Sequence, residues 1–219
     1  MPTVEDATPE RWDDLLAVFG SRGDPAHCWC QWFRQQRPGY AARSSEQRRA
    51  DLGSQVAGPL PPGVLAYDDA GTPSGWCAAA PRADYPRLRS YPAAAITADE
   101  DGLWAVTCFV VRVGRRRQGF AEVLLEGAVD LARRHGARTV EAYPLDTTVR
   151  TASAAELFHG PLSVFLRLGF TEVGTRTSKA RPVVRLALVG EPLVVEPLVL
   201  RRLGLLAGHV RPGRQHASS

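Results

Sequence analysis

The spacing of apolar residues along the chain changes several times, and each change marks an element. Trp12, Leu15, Leu16 and Phe19 recur at helical spacing. They follow Thr8-Pro9-Glu10-Arg11, which offers a cap, a proline for the first helical position and an early acid. A helix is therefore predicted over residues 8–20. A Gly-Asp-Pro turn leads into His27-Cys28-Trp29-Cys30-Gln31-Trp32-Phe33, and Ser44 or Ser45 then caps a polar helix reaching Val56. Residues 64–67 and 76–80 read as a hairpin turned by Asp68 to Gly71. Residues 103–111 form an unbroken apolar, β-branched run, the pattern of a strand buried on both faces. Residues 121–135 place Val123, Leu124, Leu125, Ala128, Leu131 and Ala132 on one helical face, with Gly136 to end the helix. A strand over 139–143, a short helix over 161–168 ending at Gly169, and strands 170–173 and 183–189 complete the order. Helices interleaved with strands predict an α/β architecture, a central mixed sheet flanked by helices.

The domain is expected to span residues 1–189. Residues 190–219 are apolar at first, interrupted by Pro192 and Pro197, and polar at the end. They predict an extension that acts as a packing or dimer arm with a frayed terminus.

Composition narrows the setting. At 219 residues, 44% hydrophobic and 23% charged, the chain is globular in character and long enough to bury a core. Four cysteines do not make a disulfide scaffold. No apolar run is long enough to span a bilayer, and the acidic start lacks the basic and apolar regions of a signal peptide. The expectation is a cytoplasmic protein with no membrane partner.

Charge changes the picture more. The net charge is +4, yet Lys179 is the only lysine, so nearly all the positive charge is arginine. Arginine suits a bidentate grip on phosphate or carboxylate, although a codon bias toward Arg and Ala also produces such an excess. Placement separates the two readings at one point. Residues 109–121, Phe-Val-Val-Arg-Val-Gly-Arg-Arg-Arg-Gln-Gly-Phe-Ala, run from the buried strand through a short Arg/Gly loop into the amphipathic helix. Free N–H groups and the dipole at such a helix start make an anion site, most simply for a phosphate or pyrophosphate. Gly119 allows close backbone approach and Ala121 keeps the helix start uncluttered. The loop is neither a Walker A sequence nor a dinucleotide GxGxxG.

Arg116-Arg117-Gln118-Gly119-Phe120-Ala121 resembles the R/Q-x-x-G-x-G/A acyl-CoA loop of the GCN5-related N-acetyltransferases (GNAT). Phe165-Leu166-Arg167-Leu168-Gly169-Phe170 is similar to that family's Y-x-x-x-G-F ending of its fourth helix, and the element order agrees from about residue 8 to 189. The resemblance implies the GNAT fold and acetyl-CoA or another acyl-CoA as co-substrate. The pyrophosphate would lie on the amides of Arg116, Arg117, Gln118, Gly119, Phe120 and Ala121, and the pantetheine arm beside Phe109, Val110 and Val111. The reaction would be direct attack of a small-molecule or peptide amine on the thioester, which requires a nearby acceptor nitrogen, removal of a proton and protonation of the thiolate.

The sequence departs from the family pattern where that proton chemistry sits. The frequent tyrosine acid is Phe165 here, and a strand glutamate used by some members is Ala105. Candidate substitutes are Cys108, Tyr143, Asp146 and His159. Each has a plainer reading: core packing for Cys108, a strand-end aromatic for Tyr143, a turn cap for Asp146. His159 titrates near neutrality in water and suits a base. Trp29, Trp32 and Phe33 either pack the core or wall an acceptor pocket, and Arg82, Arg87 and Arg89 either rim that pocket or decorate a loop. Cys28-x-Cys30 with His27 lacks a second ligand pair, so no metal is expected. The missing Tyr and Glu also fit an acyl-CoA-binding sensor without catalysis. Nucleic-acid binding lacks a recognition helix or aromatic signature to accompany the arginines.

Overall fold

The protein is described here by a computed structural model covering residues 2–90, 101–149, 153, 156–178 and 180–188. The predicted tail over 190–219 lies outside the described residues.

Seven strands form one sheet: β1 (Thr3–Asp6), β2 (Gly63–Tyr67), β3 (Pro73–Pro81), β4 (Leu103–Val111), β5 (Thr139–Ala142), β6 (Thr171–Ser178) and β7 (Arg181–Ala187). Their order is β1-β2-β3-β4-β5-β7-β6, with only β4 and β5 parallel. The helices are α1 (Trp12–Phe19), α2 (Gly23–Cys28), α3 (Arg37–Ala42), α4 (Ser45–Val56), α5 (Phe120–Arg134) and α6 (Leu162–Arg167). The mixed α/β sheet flanked by helices is as the sequence predicts.

Period-two alternation divides the core. Val64, Ala66, Cys77 and Ala79 face α5, whose Leu124, Leu125, Ala128, Leu131 and Ala132 are buried against them. The intervening Leu65, Tyr67, Trp76 and Ala78 face α1 and α4, meeting Leu15, Phe19, Leu52 and Val56. β4 is covered on both faces, which explains its unbroken apolar run.

Local signals behave as their chemistry dictates. Ser44, rather than Ser45, caps α4: its Oγ accepts from the Gln47 amide and the Gln47 Oε1 accepts from the Ser44 amide, a reciprocal capping box. Residues 8–20 contain one 3-10 turn, Pro9–Arg11, before α1 begins. α5 ends in a Schellman motif: Gly136, at φ +77, donates to Arg133 O, and Ala137 donates to Ala132 O.

Several elements differ from expectation. β1 was not predicted, because Val4 alone is apolar within it; pairing with β2 places Val4 under α5. α2 and α3 hold Gly23 and Pro25, and Pro38 and Gly39, poor helix formers that tertiary packing overrides. The strand expected to begin at 170–173 runs on as β6 to Ser178, and its partner expected over 183–189 is β7, Arg181–Ala187, starting and ending two residues earlier.

The close approach of β1 and α5 depends on Gly127. A Cβ there would lie 2.4 Å from Val4 Cγ1. Gly127→Leu gains about 1 kcal/mol in helix propensity, but the overpacking costs about 1–3 kcal/mol, and the longer side chain takes the upper part of that range. The denaturation midpoint should fall, with β1 amides losing hydrogen-exchange protection; an unchanged midpoint and protection would contradict this packing.

Candidate active site

β4 and β5 pair over four positions only, Leu103–Val106 with Thr139–Ala142. Beyond them β4 continues to Val111 with β3 alone on one side, while the chain leaving β5 pairs Leu145 with Pro161 instead. The two parallel strands therefore part, opening a cleft along the second half of β4. At the parting point β4 bulges: Ala78 faces Cys108 and its neighbour Ala79 faces Val106, leaving Thr107 without a cross-strand partner. The extra residue resets the alternation, so Phe109 returns to the face of Trp104 and Val106.

One end of the cleft is the β4–α5 loop. Gly114, Arg117 and Gly119 take left-handed conformations, and Gly119 (φ +83) occupies the N-cap of α5. No atom lies within 4 Å of where a Gly119 Cβ would stand. Glu122 N donates to Gly119 O at 3.0 Å, which leaves the Phe120 and Ala121 amides as the helix-start donors without an intrahelical partner, and the helix dipole favours negative charge there. Arg116, Arg117 and Gln118 are exposed around them. Gln118 Nε2 donates to Gly114 O at 2.9 Å and Arg116 Nε to Val111 O at 3.4 Å, shaping the loop. Arg115 pairs with Asp68, and Arg112 donates to Pro73 O, so these two brace the loop against the β2–β3 turn.

The other end is aromatic. Phe165 is fully buried, edge-on to Phe109 (5.9 Å) and Phe170 (5.3 Å). The Phe-x-x-x-Gly-Phe sequence is a second Schellman motif. Gly169 (φ +84) donates to Leu166 O, Phe170 donates to Phe165 O, and the two phenyl rings make the apolar contact that accompanies such a stop. Phe165 carries no proton to give.

The candidate proton carriers are dispersed. Tyr143 is fully buried and its hydroxyl donates to Glu141; burial, then that carboxylate, pushes its pKa well up. Glu141, 1% exposed, also accepts from Arg82 Nε (3.1 Å) and Arg185 Nε (2.8 Å), forming a buried network. Asp146 lies apart. Its Oδ1 accepts from Thr148 N and Oγ1, and its Oδ2 from Arg176 Nη1 at 2.7 Å; these bonds hold its pKa below the usual carboxylate value.

His159 is on the 3-10 helix Glu156–His159, which packs against β4. It is buried between Phe158 (3.9 Å) and Phe33 (5.5 Å), with Nδ1 unpartnered. Burial, and secondarily the charge of Arg181, lowers its pKa to about 3, so the ring is neutral near pH 7 and a weak base. Cys108 follows the bulge; a hydrogen bond to Cys30, then burial, pushes its thiol well above the ordinary range. It stays a thiol, not a nucleophilic thiolate. Among the described residues, no group of His, Cys, Asp or Glu is arranged to hold a metal ion.

The three aromatic candidates divide. Trp29 is buried, stacked on Phe19 at 5.0 Å, with Nε1 donating to Ser45 Oγ. Phe33 is buried with Tyr85, Ala105 and Tyr143. Trp32 is exposed, edge-on to Tyr40 at 5.1 Å and covered by Arg87. The Arg82–Glu141–Arg185 network was not foreseen; a lone Glu in a four-residue strand carries no sequence pattern that would reveal it.

Comparison with known proteins follows the same outline. A search among curated proteins found no match. Two solved structures share the fold: a GCN5-related N-acetyltransferase from Kribbella flavida and the GNAT domain of S. lividans PAT. The first is 18% identical, covering 85% of this chain and 98% of its own, with a TM-score of 0.50. The second is also 18% identical, covering 84% and 89% respectively, with a TM-score of 0.51. The family model described as Acetyltransferase (GNAT) family matches residues 13–160. That span runs from α1 through the bulged strand, the basic loop and the 3-10 helix beside β4, taking in both strands that part to form the cleft; the chain belongs to the GNAT acetyltransferase family.

Proposed function

We propose that the protein is an acyl-CoA-dependent N-acetyltransferase that moves an acetyl group from acetyl-CoA to the primary amine of a small molecule or peptide, by direct attack, in the cytoplasm. The observation that carries the reading is the left-handed Gly119 at the start of α5, open in front and flanked by exposed Arg116, Arg117 and Gln118. This donor set fits a pyrophosphate: amides of residues 116–121 would bind it, two guanidiniums would add charge, and no side chain fills the space. When bound, acyl-CoA supplies the thioester carbonyl that the amine attacks. Phe109, Val110 and Val111 would line its pantetheine arm along β4, past the bulge at Thr107.

The chain's own residues exclude water and orient more readily than they carry protons. Phe109, Phe165 and Phe170 pack on one face of β4, and Phe33 and Tyr85 on the other. A dry site raises the effect of every dipole aimed at the reacting carbonyl. The amine reaches such a site as the free base, having given its ammonium proton to solvent. As the C–N bond forms and the C–S bond breaks, the proton that the nitrogen then sheds passes to the departing thiolate through solvent at the open mouth of the cleft, so no side chain need carry it. Free cysteines fit a reducing compartment, and no described helix is long and apolar enough to cross a membrane.

Phe165 and Ala105 favour one other reading, an acyl-CoA-binding sensor. Thiol release from acetyl-CoA across a panel of amines separates the two. Amine-dependent release well above hydrolysis is expected; saturable acetyl-CoA binding with no release across the panel would overturn the transferase reading and leave the sensor.

A further inference from the structure

Among the described residues, one buried cation has no anion. Arg87 lies in the 3-10 helix Pro86–Ser90 and is 7% exposed. Its guanidinium carbon sits 3.5 Å from the centroid of the Trp32 ring, and Nη1 donates to the Trp32 carbonyl at 3.1 Å. Asp84, three residues before it, pairs with Arg34 instead. What adjoins Arg87 is a second cation, Arg37, which is exposed; burial, then that like charge, lowers the Arg87 pKa. A guanidinium has five N–H donors, and one bond to a carbonyl accounts for few of them. Taking a charge largely out of water without a counter-ion is costly, and a cation–π contact returns only part of that cost. The arrangement is short of one negative charge.

Its position ties this deficit to the cleft. Tyr85 and Leu88, on either side of Arg87, are fully buried with Phe33 of the aromatic segment and Ala105 of β4, two residues before the bulge. The Arg87 amide donates to Phe33 O at 3.2 Å, fixing the helix to that segment. Trp32, 39% exposed, carries the guanidinium to the surface beside Tyr40.

We infer that Arg87, stacked on Trp32 with Arg37 beside it, anchors a carboxylate of the acceptor, so that the amines acylated are amino acids: small molecules bearing both a primary amine and a carboxylate. The inference rests on the transferase reading above and names its acceptor class. The planar fork of Arg87 would receive the carboxylate in two parallel bonds, leaving the amine end of the molecule free to turn toward the bulge of β4.

The test uses the full chain with acetyl-CoA and matched acceptors, amino acids against their carboxamides. The carboxylate form is expected to show at least about tenfold higher kcat/KM. Arg87→Met should erase that preference through KM while leaving the carboxamide twin and the acetyl-CoA KM within about twofold. Arg87→Lys keeps the charge and should retain part of the preference. Arg37→Met, at an exposed site, should weaken it without disturbing the fold. A wild type indifferent to the carboxylate, or equal losses for both twins in Arg87→Met and Arg87→Lys, would overturn the inference. A binding arm separates this failure from failure of the transferase reading. Glutarate, which has no amine, should raise the melting temperature of the wild type more than glutaramide does, and should not do so in Arg87→Met. No glutarate effect with normal amine turnover sinks the anchor alone; a glutarate effect with no amine turnover overturns the acceptor inference through the transferase reading on which it rests, and leaves Arg87 as a carboxylate site only.

Discussion

Gly119→Glu should remove acetyl-CoA binding from a chain that still folds. Gly119 stands at φ +83, where an L side chain adds strain of about 1–2 kcal/mol. Because no atom lies within 4 Å of the new Cβ, no clash joins that strain. A carboxylate at the helix start also interacts favourably with the dipole, by about 0.3–1 kcal/mol, and offsets part of the strain. The same carboxylate would occupy the space in which the first-turn amides meet a phosphate, and would repel it. Losing two charge-assisted hydrogen bonds at about 1.5–3 kcal/mol each weakens binding by at least about a hundredfold. Calorimetric titration with acetyl-CoA, alongside a melting curve, checks this. Wild-type affinity in the folded variant would show that the phosphates bind elsewhere.

The largest stability effect should come from Glu141→Gln. Glu141 is 1% exposed and holds Arg82, itself 4% exposed, together with Arg185 and the Tyr143 hydroxyl. The amide keeps the shape but removes the negative charge that these two guanidiniums share. Breaking a buried ion pair on one side costs about 3–5 kcal/mol. The Arg185 side chain is 28% exposed and water relieves part of its loss, which places the expectation near the lower end, roughly 3 kcal/mol. The denaturant midpoint should fall with little change in slope. A variant as stable as the wild type would mean that the network contributes nothing net, as replaced buried pairs sometimes do.

These two sites differ in how far the sequence discloses them. The loop around Gly119 depends on local order: an apolar strand, a short basic loop and an amphipathic helix. Each part has its own period or turn chemistry, so the proposed anion site follows from adjacent residues. Phe-x-x-x-Gly-Phe is equally local, since a Schellman stop needs only Gly169 in the left-handed region and two apolar neighbours in place. Glu141 is the opposite case. Its partners stand 59 residues before it and 44 after it, and only sheet assembly brings them together.

The candidate proton carriers show the same division. Asp146, Tyr143, His159 and Cys108 all lie near the expected cleft in sequence, yet the structure gives each a different environment. Asp146 caps a turn and pairs with Arg176, Tyr143 bonds a carboxylate, His159 is held neutral in an aromatic cage, and Cys108 faces Cys30. Sequence distance says nothing about desolvation, and desolvation is what sets whether such a group can exchange a proton.

By itself the sequence determined the mixed α/β class, the two-sided burial of β4 and the basic, glycine-capped turn into α5 on which the proposed phosphate site rests. Those properties arise from periodicity, capping and backbone freedom, which act over a few residues. The tertiary structure alone decided the bulge at Thr107, the parting of β4 from β5, the buried charge network and the unpaired cation at Arg87. These depend on register and on which distant side chains meet away from water, and neither is encoded within any short stretch of the chain.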